Sequence, residues 1–485
     1  MEDTISQINP KVPFSVWLQE KLAASRFFTV SVLVHLFIVF VGGSVVLFHQ
    51  TAEPPDFVAE GGVVGSDSAV QAPPEQPPDV SQQQNFTPDQ PQISAPSVSA
   101  ITSTTTTATS FTMTTAPVPV MKPMGDVKMS TDIPKSLGTG IAKGLPSTMA
   151  GRAGGTARTM AAMKVGGKEK SEKAVMQGLR WLKGTQKEDG SWGDSNKTAM
   201  TGLAILCFLG HGETPEAPEF GPTVKKALDW ALAKGKTNQG RMCDAAAFGQ
   251  PGVYEHGILT YALGEYYTMT KDERYAEVLR QAVKYVVDGQ APDGGWQYGY
   301  DKGPNSDTSV SGWQIQALKA AHLTGLKIAG VDDALDKAML NLKRVQGPNG
   351  GFGYTTKGDK YSLTGVGVLC TYFWKQDKDK VVKEGIEYIL KETDTKYPVK
   401  YKGEHADLYA WYYNTQACLM FGGSAWSKWN KWFQEEVSGA QGPDGSWPEP
   451  GGKMHGPAGV SGQVYRTTLC ILMLEVFYRY MPTTK

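Results

Sequence analysis

Residues Gln290–Trp296 read Gln-Ala-Pro-Asp-Gly-Gly-Trp, and the pattern they form, Gln-x-x-x-Gly-x-aromatic, decides the fold. It returns as Gln186-Lys-Glu-Asp-Gly190-Ser-Trp192, Gln346-Gly-Pro-Asn-Gly350-Gly-Phe352 and Gln441-Gly-Pro-Asp-Gly445-Ser-Trp447. The four glutamines stand 104, 56 and 95 positions apart, a period near fifty with two units that lack the motif. A period of this length marks a repeat architecture. Each copy follows an amphipathic helical pattern, such as AVMQGLRWLKGTQ or LRQAVKYVVDGQ, and precedes a second one. The second segments, among them TGLAILCFLG, SGWQIQALKAA and RTTLCILMLEVF, are apolar nearly all round, as an inner layer requires. Gly-, Asp- and Asn-rich loops precede them and supply breakers and caps. A single pair cannot bury its own apolar face, so six pairs over residues 171–485 predict an all-α closed double ring, an (α/α)6 toroid.

These Gln-x-x-x-Gly-x-Trp repeats resemble the QW motifs of squalene–hopene and oxidosqualene cyclases, whose α/α toroid is shared with protein prenyltransferase β-subunits. The resemblance covers essentially residues 171–485. It implies that Gln186, Trp192, Gln290, Trp296, Gln346, Phe352, Gln441 and Trp447 staple adjacent helices and do no chemistry. It does not carry a reaction with it, because one fold hosts many functions.

Three chemistries associated with such rings can be weighed on the residues. Hopene cyclases protonate an alkene with Asp-x-Asp-Asp, clustered carboxylates that keep one acid protonated. The nearest segment here is Asn305-Ser306-Asp307-Thr308-Ser309, in which Asp307 alone matches, at the motif's last acid. Asp307 is thus the one candidate catalytic residue, and a helix N-cap is its ordinary reading. Prenyltransferases hold zinc with an Asp-x-Cys pair and a His; Cys243-Asp244 has the wrong order, so no metal site and no cofactor are expected. Cys207, Cys370, Cys418 and Cys470 recur among apolar neighbours on the second helices and read as small core residues. A carbohydrate-active ring would use carboxylates and aromatic platforms. Pocket candidates near the starts of the second helices are Glu255, His256, Trp313, His405, Asp407, Trp411 and Tyr412, beside Tyr254, Tyr409 and His455. Core packing is the ordinary reading of such aromatics.

Lys+Arg and Asp+Glu number 48 each, which excludes a generally basic nucleic-acid binder. Ahead of the repeats, Phe27–Phe48 is a 22-residue stretch without Asp, Glu, Lys or Arg, long enough to span a bilayer. Lys11, Lys21 and Arg26 precede it, and the next base is Lys122, so residues 1–26 are expected in the cytoplasm and the rest exported. The expected location is a bacterial inner membrane, with the ring periplasmic. Ser31 and His35 share a helical face inside the span, and an ionisable residue there is a functional candidate. Their spacing resembles the anchor of TonB-type energy transducers, which implies proton-driven motor subunits of the ExbB/ExbD type as partners. Residues 49–170 hold APPEQPP and ITSTTTTATS, a composition that predicts a disordered linker. The sequence favours a binding or interaction module for a small-molecule, glycan or isoprenoid ligand. A divergent terpenoid cyclase and a motor-coupled component stay open, as does catalysis itself.

Overall fold

The computed structural model describes residues 145–244, 248–375, 378–452 and 456–480. The chain divides into two units, Met1–Gln76 and Pro77–Lys485, of which the first lies wholly outside the described residues. The expected span with Ser31 and His35 falls there, and His455 is likewise not described. Among the described residues no helix is long and apolar enough to cross a membrane.

Fourteen α-helices are described, and twelve of them form the ring. After the leading helix α1 (Gly155–Lys164), the outer helices are α2 (Glu169–Thr185), α4 (Gly221–Thr237), α6 (Ala276–Gly289), α8 (Val331–Val345), α10 (Lys380–Thr395) and α12 (Gly423–Gly439). They alternate with the inner helices α3 (Lys197–Gly210), α5 (Gly249–Thr270), α7 (Thr308–Leu323), α9 (Tyr361–Lys375), α11 (Leu408–Phe421) and α13 (Gly459–Leu474). A short α14 (Val476–Arg479) follows. Each inner helix packs on the next, and α13 packs back on α3, so the inner layer closes into a hexagon. The outer helices bury one stripe each, whereas inner helices such as α3 are buried on every side.

The repeat motif does the stapling at atomic level. The side-chain amide of each motif glutamine donates twice: to the motif glycine's carbonyl, and to a carbonyl in the first turns of the next outer helix. For Gln290 the acceptors are Gly294 O at 2.8 Å and Ala334 O at 2.7 Å. Gln186 reaches Thr223 O, Gln346 reaches Val381 O, and Gln441 reaches Ala174 O at 2.8 Å, which ties the last unit to the first. The indoles of Trp192, Trp296 and Trp447 donate back to Leu182 O, Val286 O and Val437 O at the end of the preceding outer helix. Phe352 takes the same buried place without a donor. The motif glycines lie at φ from +87° to +96°, and a Cβ there would overlap a carbonyl oxygen of the adjacent outer helix.

The two units without the motif use other staples. In the α4–α5 unit, His256 Nδ1 accepts from Met242 N and Nε2 donates to Ala282 O of α6, both at 2.9 Å. In the α10–α11 unit, Tyr401 N donates to Glu436 of α12 and its hydroxyl to Pro448 O.

The folded part starts earlier than position 171. A 3-10 turn at Ser147–Arg152 and helix α1 pack with α14 across the end of the ring where the inner helices finish. Met149 and Arg152 are fully buried, so residues 145–170 belong to the domain and not to the expected linker. There Arg152 Nη1 stands 2.6 Å from Glu265 Oε2, Arg152 Nε donates to Arg479 O, and the Tyr480 hydroxyl donates to Glu265. Burial would raise the Glu265 carboxyl, but Arg152 and Arg479 outweigh it and hold Glu265 down to about 2. Such a pair survives burial only because each charge finds partners. Lys319 Nζ sits 3.6 Å from the Tyr480 ring centroid, and burial lowers it to about 7. The ring is therefore plugged at this end by a charged, aromatic cluster.

Candidate functional site

The opposite end is open. Residues from the start of all six inner helices line a single central depression of about 160 Å³. Its wall is built from Tyr254, Tyr298, Ser309, Trp313, Tyr409 and Tyr465. These side chains converge because every inner helix begins on this face, and the loop from each outer helix delivers it there.

The wall carries a continuous hydroxyl chain. The Tyr354 and Tyr298 hydroxyls lie 2.6 Å apart, Tyr298 and Tyr254 3.4 Å, and Tyr254 and Ser309 2.8 Å. Ser309 Oγ then donates to Asp307 Oδ1 at 2.6 Å. Burial, and after it neighbours including the Asp307 carboxylate, push the Tyr254, Tyr298 and Tyr354 phenols above their usual range. All three are neutral donors and acceptors at ordinary pH.

Asp307 itself is the N-cap of α7: Oδ1 accepts from the backbone N–H of Ser309 at 2.7 Å and of Val310 at 3.3 Å. Its other oxygen, Oδ2, is buried, and the Tyr354 phenol is the hydroxyl that interacts with this carboxyl group. Of the pocket candidates, Trp313 lines the central depression, together with Tyr254 and Tyr409. Tyr412 stacks behind Trp313 with ring centroids 5.8 Å apart and 18° between planes. Trp411 is fully buried and packs toward Tyr401. His256 is equally buried, both ring nitrogens are engaged, and burial lowers it to about 4, so it is a neutral staple outside the pocket. Glu255 lies behind the rim, where Oε2 accepts from Asp244 N. Burial, with the Asp244 carboxylate beside it, pushes Glu255 up to about 7. Asp244 stays below the ordinary range, because hydrogen bonds from Lys234 and Thr198 outweigh its burial.

His405 and Asp407 come together in a second depression between the starts of α9 and α11, with Asp359, Tyr361, Tyr397 and Glu404. Asp407 also caps α11 by accepting from Ala410 N. A third depression, lined by Asp194, Lys197, Trp230, Lys234 and Asp244, lies between the start of α3, the second half of α4 and the loop that leads into α5. Trp230, Tyr298 and Tyr465 escaped the sequence reading because they belong to an outer helix, a loop and a second turn. The aromatic pair Tyr298-Gly-Tyr300, directly after the second motif copy, was the available signal. Among the described residues no group of three His, Cys, Asp or Glu could hold a metal ion, and the five described cysteines are buried and form no disulfide with one another.

No protein-family model matches the chain, and no curated protein does either. Among solved structures the chain is a distant match to all-α ring proteins. An α-1,6-mannanase of Salegentibacter sp. HEL1_6, in complex with α-1,6-mannotriose, shares 12% identity over 64% of this chain and 99% of its own, with a TM-score of 0.46. Cellobiose 2-epimerase from Spirochaeta thermophila shares 12% over 66% and 96%, with a TM-score of 0.48. The type II terpene cyclase MstE from Scytonema, in complex with geranylgeranyl dihydroxybenzoate, shares 14% over 64% and 97%, with a TM-score of 0.43.

Proposed function

We propose that this protein is a ligand-binding module that takes an uncharged, hydroxyl-bearing ligand in the tyrosine-lined mouth of its ring. The observation that carries the reading is the hydroxyl chain from Tyr354 to Ser309, set in a wall of aromatic faces above Trp313. Aromatic faces bind the apolar side of a sugar-like ring while neighbouring hydroxyls exchange hydrogen bonds with its rim. The interior beyond is no empty apolar chamber: the buried Gln316, Tyr413, Asn414 and Gln416 fill it, and the far end is plugged. A long isoprenoid has little room there. On the sequence reading, residues 27–48 anchor the module in a membrane and the following linker lets it range outside.

The test is calorimetric titration of the full-length protein with neutral saccharides. Tyr254→Phe, which removes the hydroxyl joining Ser309 to Tyr298, should weaken binding by about 1 kcal/mol, roughly fivefold. Unchanged affinity in that variant, or no saccharide binding by the folded wild type, refutes the reading. One observation favours a second reading, a cyclase-like enzyme: Asp307, which matches the last acid of the cyclase motif, is fully buried at the end of the hydroxyl chain. On that reading Asp307→Asn abolishes turnover of an isoprenoid substrate and leaves the melting temperature in place. If Asp307 is only a cap, the same change lowers stability and no isoprenoid turns over in the wild type.

A further inference from the structure

We propose that the open face binds an extended, uncharged glycan strand laid across its diameter, with the central depression as the middle of at least three subsites. This rests on the reading of the mouth as a saccharide site and adds the length and path of the ligand.

The path follows from the ring's order. The inner helices run α3, α5, α7, α9, α11, α13 around the hexagon, so the edge between α3 and α5 lies opposite the edge between α9 and α11. The second depression sits on the α9–α11 edge, the third lies against the end of the outer helix α4, which the chain visits between α3 and α5, and the central one lies between them. Ser362 belongs to the central and the second depression alike. On the other side, the adjacent residues Asn196 and Lys197 line the central and the third. With inner helices about 8–10 Å apart, the outer two subsites stand more than about 15 Å from each other. A single ring-sized ligand fills one of them; several linked rings are needed to reach all three.

The chemistry of the flanks selects the ligand. One flank offers Trp230, with Lys234 Nζ 5.0 Å from its ring centroid, and the other offers Tyr397, half-buried and stacked on the buried Tyr361 with centroids 4.6 Å apart at 21°. Aromatic platforms at both ends of a polar groove suit pyranose faces. Charge argues against a polyanion. The second depression sets Asp359, Glu404 and Asp407 against Lys360. In the third, Lys197 pairs with Asp189 and Lys234 with Asp244, while Asp194 pairs with Lys187. Nucleic acid and acidic glycans would meet net negative charge in the second depression and balanced, already paired charge in the third.

The experiment compares chain lengths. Full-length protein is titrated with cellobiose, cellohexaose, mannobiose and mannohexaose, and with an uncharged hexapeptide, for the wild type, Trp230→Ala, Tyr397→Ala and Tyr254→Phe. The inference expects one hexasaccharide to bind at least about tenfold more tightly than its dimer. Trp230→Ala and Tyr397→Ala should each cost that hexamer about fivefold and leave the dimer unchanged, whereas Tyr254→Phe weakens both. Melting curves confirm that each variant is folded, and the milder Asp194→Asn and Tyr397→Leu replace any that is not. Equal affinity for dimer and hexamer, or a hexamer indifferent to both flank variants, overturns the extended groove and leaves the central site standing. Absence of all saccharide binding overturns the central reading itself. Tight hexapeptide binding that depends on Trp230 and Tyr397 assigns the groove to peptide and overturns the glycan.

Discussion

A methyl group added at Gly294 would overlap the carbonyl oxygen of Lys337, on a residue whose φ is already +89°. Gly294→Ala therefore combines backbone strain with a clash that rigid helix backbone cannot relieve, and should destabilise the protein by about 3 kcal/mol. Gly303, where an added Cβ would meet only the Asp301 carboxylate at an ordinary 3.9 Å and φ is outside the left-handed region, is the control: Gly303→Ala should leave the denaturant midpoint within error. Glu255 gives a second single-residue prediction. Its folded value near 7 lies above the ordinary value of about 4.3, so the folded state holds the proton more tightly than the unfolded chain. The stability this lends is fully present below about pH 4 and is lost as pH rises through 7. Glu255→Gln, always neutral, should flatten that loss, so that its melting temperature exceeds the wild type's at pH 8 by more than it does at pH 5. The buried His256 works the other way, since its value falls to about 4. Its contribution is complete above about 6.5 and disappears as pH drops through 4.

The helix pair is the scale at which the sequence was most legible. Inner and outer helices separated by composition, and the four motif copies marked where each outer helix ends, because Gln, Gly and Trp there answer one repeated backbone geometry. The two remaining units rest on the spacing of the copies and on their apolar second segments, GILTYALGEYY and NTQACLMF. Their staples, His256 and Tyr401 with Glu436, could not be read because they reach partners 26 and 35 residues away from positions with no repeat. The candidate site was less legible for a similar reason. Trp313, His405 and Asp407 could be picked as polar or aromatic groups at helix starts, but their grouping depends on which helices face each other across the ring. Arg152 could not be picked out, since the Gly-rich, basic Gly151–Lys170 reads as the end of the linker, packed loosely on the domain at most, until a buried Glu265 requires it. A staple has a measurable worth. Gln441→Ala removes two hydrogen bonds, to Gly445 O and Ala174 O, and should cost about 2 kcal/mol by chemical denaturation. If it costs no more than an exposed substitution on α12, the closing staple is dispensable.

For the molecule as a whole, the plug and the mouth divide the ring's two ends between stability and recognition. At the plugged end Glu265 is held by Arg152 and Arg479, and neutral hydroxyls gather at the open one. The guanidinium of Arg152 bonds the backbone of Arg479, so the first and last turns of the folded part touch. A circle joined in this way has no first unit, and the order in which the chain visits its six pairs is a matter of history, not of packing. Linking residue 480 to residue 145 through a short flexible segment and cutting between Gly303 and Pro304 should thus yield a circular permutant. It is expected to show the helical circular dichroism of the parent and a melting temperature within a few degrees of it. A permutant that never folds would mean that the first pair must form before the others can dock. The ring would then be assembled in sequence, like an arch on its keystone, and not condensed from all sides at once.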